Sequence, residues 1–189
     1  KAHPEVNEVI LSGGDPLMAD DQALSGLFVR LESVSSIHRL RIHTRLPIVI
    51  PERVTDTLCQ IIAATALPVV MVLHSNHANE IDQSVMDAVS QLRVVCRSVL
   101  NQSVILKGIN DSADVLIALS ERLFEAGIDP YYLNVLDRVS GAHHFDVSDL
   151  EVAALHQALL NALPGYLVPK LVREVPGIGH KVQWKGTTH

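Results

Sequence analysis

Cysteine is scarce. The 189 residues hold two, Cys59 and Cys96, far apart in the chain, each in an apolar helical context and without CxxC-type spacing. That count excludes a disulfide-stapled scaffold and a metal site built from thiols of this pair alone. The reading is two buried free thiols in a reducing, cytoplasmic compartment, with a disulfide between them as the other reading. Long apolar runs are missing too. The longest, around Leu67–Leu73, is strand-sized and far short of the roughly 20 residues a membrane span needs. Positive charge is not in excess: the net charge of −6 argues against a nucleic-acid surface. No repeat of 20–50 residues and no linker interrupts the chain. No signal peptide is visible at Lys1 and the first residue is not Met, so the chain is expected to begin inside a longer protein or to have been trimmed.

What is present is a globular composition, 48% apolar, enough for one domain with a full core. The organising stretch is Val9–Met18, VILSGGDPLM. Val9, Ile10 and Leu11 read as a strand buried on both faces. Gly13 and Gly14 permit positive φ and close approach of backbone N–H groups to a ligand. Asp15 then sits at the strand's C-terminal end, and Pro16 stops the pairing. The plain alternative is a βα turn in which Asp15 only caps the next turn of the chain.

The pattern alternates from there. Strands are predicted at Val9–Leu11, Arg39–His43, Val69–His74, Val99–Leu106 and Tyr131–Leu136. Helices are predicted at Asp20–Ser33, Pro51–Ala64, Ile81–Arg93, Asp111–Ala126 and Ser148–Leu163. Gly127 suits a helix C-terminus, and Ser148 with Glu151 forms a capping box. Strand–helix alternation of this kind means βαβ units, a parallel sheet and right-handed crossovers. Eight units would need a longer chain, so the α/β fold is a partial parallel (β/α) barrel or an open sheet over residues 1–163. Residues 164–189, rich in proline and glycine, read as an extended C-terminal segment draped over the barrel mouth or a partner.

In α/β barrels and open sheets, ligands sit at the C-terminal ends of strands. Those ends carry Ser12–Asp15; His43, Thr44 and Arg45; His74, Ser75, Asn76 and His77; Lys107, Asn110 and Asp111; and Asn134, Asp137 and Arg138. Strand four itself contains Asn101, Gln102 and Ser103. Converging on one cavity, they would suit a polar, zwitterionic or phosphorylated ligand. Each has a plainer role open to it. His74 could be a satisfied core histidine, Arg45 a surface partner of Glu52, and Asp137 a local partner of Arg138. Gln102 is a costly amide unless partnered. His156 and His189 read as surface residues.

LSGGDPLM, RIHTRLPIVIPERV, HSNHANEID, LNQSVILKGIND, PYYLNVLDRVSGAHHF and GYLVPKLVRE, collinear and with like spacing, together resemble the lysine 2,3-aminomutase family of radical S-adenosylmethionine enzymes. Within it they most resemble the branch that makes (R)-β-lysine for β-lysylation of elongation factor P. The resemblance implies a radical S-adenosylmethionine (β/α) barrel holding a [4Fe–4S] cluster, S-adenosyl-L-methionine and pyridoxal 5′-phosphate. It implies an isomerase that moves the α-amino group of L-lysine to the β-carbon, with the lysine held as an imine on the pyridoxal. Ser12, Gly13, Gly14 and Asp15 match the segment along the methionine end of S-adenosylmethionine. His74 and Gln102 match positions near the adenosyl group, and Arg45 falls among the cofactor-binding positions. Asp137 matches an acid that grips the distant ammonium of the substrate, and Glu174 falls where a second such acid is common. Lys181, in PGIGHK, falls at the imine-forming lysine, with Lys170 as the competing candidate.

The family's CxxxCxxC motif is absent, and so is an arginine expected to hold the substrate carboxylate. The motif belongs before the first strand, so the chain is expected to be the C-terminal part of the enzyme. It should then have no metal ligands and no activity alone. The expected partners are L-lysine and, functionally, elongation factor P and its lysyl ligase, in a cytoplasmic protein that could form homo-oligomers and binds neither nucleic acid nor membrane. Two other readings stay open. One is a non-catalytic truncated relative acting as a ligand-binding or interaction module. The other is an unrelated α/β barrel enzyme for a phosphorylated substrate.

Overall fold

The computed structural model describes residues 3–137, 143–174, 177 and 181–184, the side chain of residue 143 excepted. Seven strands follow one another in chain order, β1-β2-β3-β4-β5-β6-β7. Those with described registers pair in parallel up to β6, and β7 returns antiparallel. This is the α/β connectivity of a partial parallel (β/α) barrel. Two compact units divide the chain: residues 1–74 with 82–100, and residues 75–81 with 101–189.

The first unit is built on β1 (Glu8–Leu11), β2 (Arg39–Thr44) and β3 (Val69–His74). Ile10 lies opposite Arg41 and Ile42 opposite Met71. In RLRIHT every second residue is buried, Leu40 and Ile42 completely. β3 is buried along most of its length, as a strand covered on both faces should be. Over the sheet lie α1 (Asp21–Glu32), α2 (Leu46–Val49), α3 (Asp56–Ala64) and α4 (Gln83–Val95). Their apolar stripes supply Phe28, Leu58, Ile62 and Leu92 to the core. Asp20, Thr55 and Asp82 each accept a backbone N–H of the first turn and so set where α1, α3 and α4 start.

The single helix expected over Pro51–Ala64 is three pieces counting from Leu46: α2, a 3₁₀ turn at Pro51–Arg53, and α3. Thr55 caps α3, and Arg53 turns back to carbonyls near α1. Together they interrupt the helical pattern. Cys59 on α3 is half-buried, Cys96 after α4 is buried, and both are free thiols.

The second unit contains the end of β4 (Ser98–Val104), β5 (Asp129–Asn134), β6 (Lys170–Arg173) and β7 (Val182–Gln183), with α5 (Ala113–Glu125) and α6 (Asp149–Ala162). Leu133 pairs with Leu171, and Val172 with Gln183. Ile105, Leu133, Val152, Leu159 and Leu171 form the centre of its core. Gly127, at φ 76°, ends α5 as expected, and Ser148 with Glu151 makes the expected capping box. β4 stops at Val104, two residues early, because Asn110 takes over. Its Nδ2 donates to the Val104 carbonyl at 2.9 Å and its Oδ1 accepts the Leu106 N–H at 2.7 Å.

Among the described residues after Pro164, Gly165–Leu167 form a 3₁₀ turn, and β6 and β7 join the sheet. His156 departs from its expected surface role. It is half-buried on α6, and burial holds its imidazole below the usual pKa. No helix among the described residues is long and apolar enough to cross a membrane.

Candidate functional site

In the first unit the site begins where β1 ends. Gly13 and Gly14 take φ of 87° and 55°, and a Cβ at either would meet nothing within 4 Å. The glycines are therefore required by backbone conformation, not by crowding, and their turn leaves Ser12, Gly13 and Gly14 exposed. Asp15 is oriented by three donors: the Leu17 N–H at 3.0 Å, the Thr44 hydroxyl at 2.6 Å and the Arg45 N–H at 2.7 Å. Its carboxylate caps the 3₁₀ turn Pro16–Met18 and clasps the end of β2. Asp15 thus carries the capping role left open by its sequence, and the exposed turn before it is the part that can face a ligand.

Arg53 braces the same loop. Its Nε donates to the Leu17 carbonyl at 2.7 Å, its Nη2 to the Ala19 carbonyl at 3.1 Å, and it pairs with Asp21 at 2.8 Å. Sequence reading assigns Arg53 no role; the arginine-bearing PERV segment was the available signal. Arg45 is exposed at the start of α2, and His74 is half-buried at the end of β3.

In the second unit the strand-end amides divide into two kinds. Asn101, Ser103 and Asn110 are buried and spent on backbone. Asn101 accepts the Ser75 N–H at 2.9 Å and donates to the Ser75 carbonyl at 3.0 Å, and Ser103 donates to that carbonyl at 2.8 Å. Asn110 donates to the Asn76 carbonyl at 2.9 Å. These groups latch a loop. Because side chains alternate along a strand, Gln102 points to the face opposite Asn101 and Ser103, and it is half-buried there.

Lys181 stands beside β5. Its Nζ lies 2.6 Å from Asn134 Oδ1 and 3.1 Å from Glu174 Oε1, with the Tyr132 ring centroid at 5.8 Å. The competing Lys170 is exposed at the start of β6. Asp137 is exposed three residues beyond β5, and Arg138 and His189 lie outside the described residues. Asn134 is one of the strand-end polar groups named in the sequence, but its contact with Lys181 is not visible there, since only folding brings residue 134 to residue 181. Tyr132, the other neighbour, is given no role by the sequence.

The groups implied by the sequence fit unequally. A half-buried primary amine between an amide oxygen and a carboxylate suits a carbonyl cofactor such as pyridoxal phosphate. The exposed glycine turn suits the polar end of a ligand such as S-adenosylmethionine. The thiols do not suit an iron–sulfur cluster. Burial raises both, with Asp56 adding to Cys59 and Cys59 adding to Cys96, which reaches about 12. Among the described residues no group of three His, Cys, Asp or Glu could hold a metal ion.

Consecutive parallel β/α units define an α/β protein of the partial-barrel class. No family model matches the chain. It is 53% identical over 180 residues to an L-lysine 2,3-aminomutase of Haemophilus influenzae, covering 95% of this chain and 53% of that protein. The same name belongs to a relative in Escherichia coli, 53% identical over 93% of the chain and 52% of the relative. A Bacillus subtilis relative of that name is 34% identical over 95% of the chain and 38% of its own length. The chain belongs to the lysine 2,3-aminomutase family, and it spans about half the length of the first two relatives.

Proposed function

We propose that this chain is the part of a lysine 2,3-aminomutase that holds S-adenosylmethionine, pyridoxal phosphate and L-lysine. The activity is an isomerase reaction that moves the amino group from the α- to the β-carbon. When bound, pyridoxal phosphate would hold the migrating nitrogen and S-adenosylmethionine would supply the radical that starts the migration.

The residues divide the work. Lys181 offers the amine to which pyridoxal phosphate attaches. Ser12, Gly13 and Gly14 present backbone to the methionine end of S-adenosylmethionine, while Asp15 keeps their turn in place. His74 and Gln102 are assigned to the adenosyl group and Arg45 to the cofactors. Asp137 and Glu174 are assigned to the far ammonium of lysine, where a charge-assisted hydrogen bond favours that substrate over shorter or uncharged side chains. The product would be (R)-β-lysine, used with a lysyl ligase on elongation factor P. That finer statement is supported by the motif resemblance, and a cytoplasmic location by the two free thiols. A homo-oligomer is compatible with this reading. No step is assigned to an iron–sulfur cluster on these residues.

The observation that carries the reading is the placement of Lys181 Nζ at 2.6 Å from Asn134 Oδ1. A lysine in a glycine- and proline-rich tail is ordinarily solvated, and this one is partnered. The test is to incubate the protein with pyridoxal phosphate, reduce with borohydride and map the labelled peptide. Label at Lys181 is expected. Label at Lys170, or at no single lysine, overturns the assignment.

The two raised thiols favour one further reading, in which the chain by itself binds these ligands without turning them over. A chain that cleaves S-adenosylmethionine unaided would exclude it.

A further inference from the structure

We propose that Asn134 is the positioning residue of Lys181: its amide oxygen fixes where the Lys181 amine sits at the end of β5. This rests on the reading above, because the amine matters as the attachment point of pyridoxal phosphate.

The amide cannot turn round freely. Asn134 Nδ2 donates to the Ser103 carbonyl at 2.9 Å, which leaves Oδ1 toward Lys181. A flipped amide would set two carbonyl oxygens against each other and two sets of N–H donors against each other. The backbone under this side chain is fixed as well. The Asn134 carbonyl accepts the Ile105 N–H at 3.0 Å, and the residue pairs with Val172 in the sheet. The other two neighbours are weaker anchors. The Glu174 side chain is 61% exposed, so solvent screens its attraction. The Tyr132 ring closes one side without fixing a position.

A neutral acceptor is suited to this task. To attack a carbonyl the amine must be uncharged, and a neutral amine still has two N–H groups to donate to an amide oxygen. A carboxylate in the place of Asn134 would favour the ammonium and hold back the attack. Asn134 therefore holds the position of the nitrogen through the change of protonation that attachment requires.

The test compares the wild-type chain with Asn134→Ala and Asn134→Asp. Both variants lose the donor to the Ser103 carbonyl, and the aspartate also sets a carboxylate oxygen near that carbonyl. The urea midpoint of each is therefore measured beside the labelling, and the ratio to Lys170 in the same molecule is compared under conditions where each variant is fully folded. Trace acetic anhydride labelling at one pH, read by peptide mass spectrometry, gives the reactivity of Lys181 relative to Lys170 in the same molecule. The alanine variant should raise that ratio about tenfold, the equivalent of one charge-assisted hydrogen bond, and the aspartate variant should lower it below wild type. Attachment of pyridoxal phosphate to Lys181 should fall in the alanine variant even as acetylation rises, a split that a loosened fold would not produce. In the wild-type chain, unfolding in urea should raise the Lys181 to Lys170 ratio about tenfold by releasing the same hydrogen bond, a comparison that needs no variant. Equal ratios in native and unfolded chain, or in all three folded proteins, overturn the proposal. Attachment of pyridoxal phosphate to Lys170 in wild type would overturn the assignment of Lys181 instead, and the acetylation ratios would still decide the hold of Asn134.

Discussion

The Thr44 hydroxyl donates to the Asp15 carboxylate at 2.6 Å, and so ties the end of β1 to the end of β2. Thr44 also accepts the Leu46 N–H at 3.1 Å and is itself buried. One hydroxyl therefore serves the glycine turn on one side and the start of α2 on the other. Thr44→Val keeps the shape and removes both bonds, leaving a buried N–H and one carboxylate oxygen short of a donor. The expected loss is about 1–3 kcal/mol, read as a lower urea midpoint with an unchanged slope. An unchanged midpoint would mean that the clasp adds nothing to stability.

Arg53 bears on the same turn from the other side. Its fork reaches the carbonyls of Leu17 and Ala19, two groups that a lysine's single ammonium cannot meet in the same geometry. In Arg53→Lys, amide hydrogen exchange at residues 17–20 should quicken about tenfold, the equivalent of one net hydrogen bond. Exchange in α6, in the other compact unit, serves as the internal reference. Equal quickening in both places would show a general loss of stability rather than a loosened turn.

Much of this was legible in the sequence for local reasons. The strand predicted at Arg39–His43, glycine at 127 and the Ser148–Glu151 box each depend on a few neighbouring residues; the last two are found where expected, and the strand runs one residue further, to Thr44. The strands after Pro164 were not legible, because they are four and two residues long and pair with β5, far back in the chain, and with each other. The strand-end amides are ambiguous by letter alone. A buried Asn or Ser has the same letter whether it faces a ligand or a backbone carbonyl, and Asn101, Ser103 and Asn110 face backbone. Asp15 illustrates the same ambiguity, since a carboxylate after two glycines can grip a ligand or cap a turn, and here it caps. Lys181 reached its place in the site reading through family register. Its contact with Asn134 spans 47 residues and no local pattern announces it.

The buried thiol of Cys96 gives the protein an alkaline weakness. Burial, and then the charge of Cys59, push its pKa from the ordinary 9.0 to about 12. In the unfolded chain the thiol ionises near its ordinary value, while in the folded chain it keeps its proton. Between those values the unfolded state binds fewer protons, so stability falls as pH rises, by about 1.4 kcal/mol per pH unit for one group. Below about pH 9 this group gives no slope. Cys96→Ala should flatten the fall in urea midpoint between pH 9.5 and 11, at the cost of a small cavity. A slope equal to that of wild type would put the alkaline loss elsewhere.

The same two thiols predict how the chain behaves with iron. A [4Fe–4S] centre that activates S-adenosylmethionine needs three thiolates at close spacing, with one iron left open. This chain has two cysteines in all. Both are disfavoured as thiolates, Cys59 by burial and by the nearby Asp56 carboxylate, Cys96 by deeper burial. A cluster would have to deprotonate both against those effects and find a third ligand among other residue types, and none of the described groups gathers in threes. Anaerobic reconstitution of the chain with iron and sulfide, followed by desalting, should leave far less than four irons per chain. The reduced sample should give no cluster signal in visible or EPR spectra, and replacing Cys59 and Cys96 by serine should leave the residual iron unchanged. The glycine turn and Lys181 use neither thiol, so the double serine variant should still take pyridoxal phosphate at Lys181. Four irons per chain, together with cleavage of S-adenosylmethionine, would show that these residues hold the cluster in a way their chemistry does not suggest.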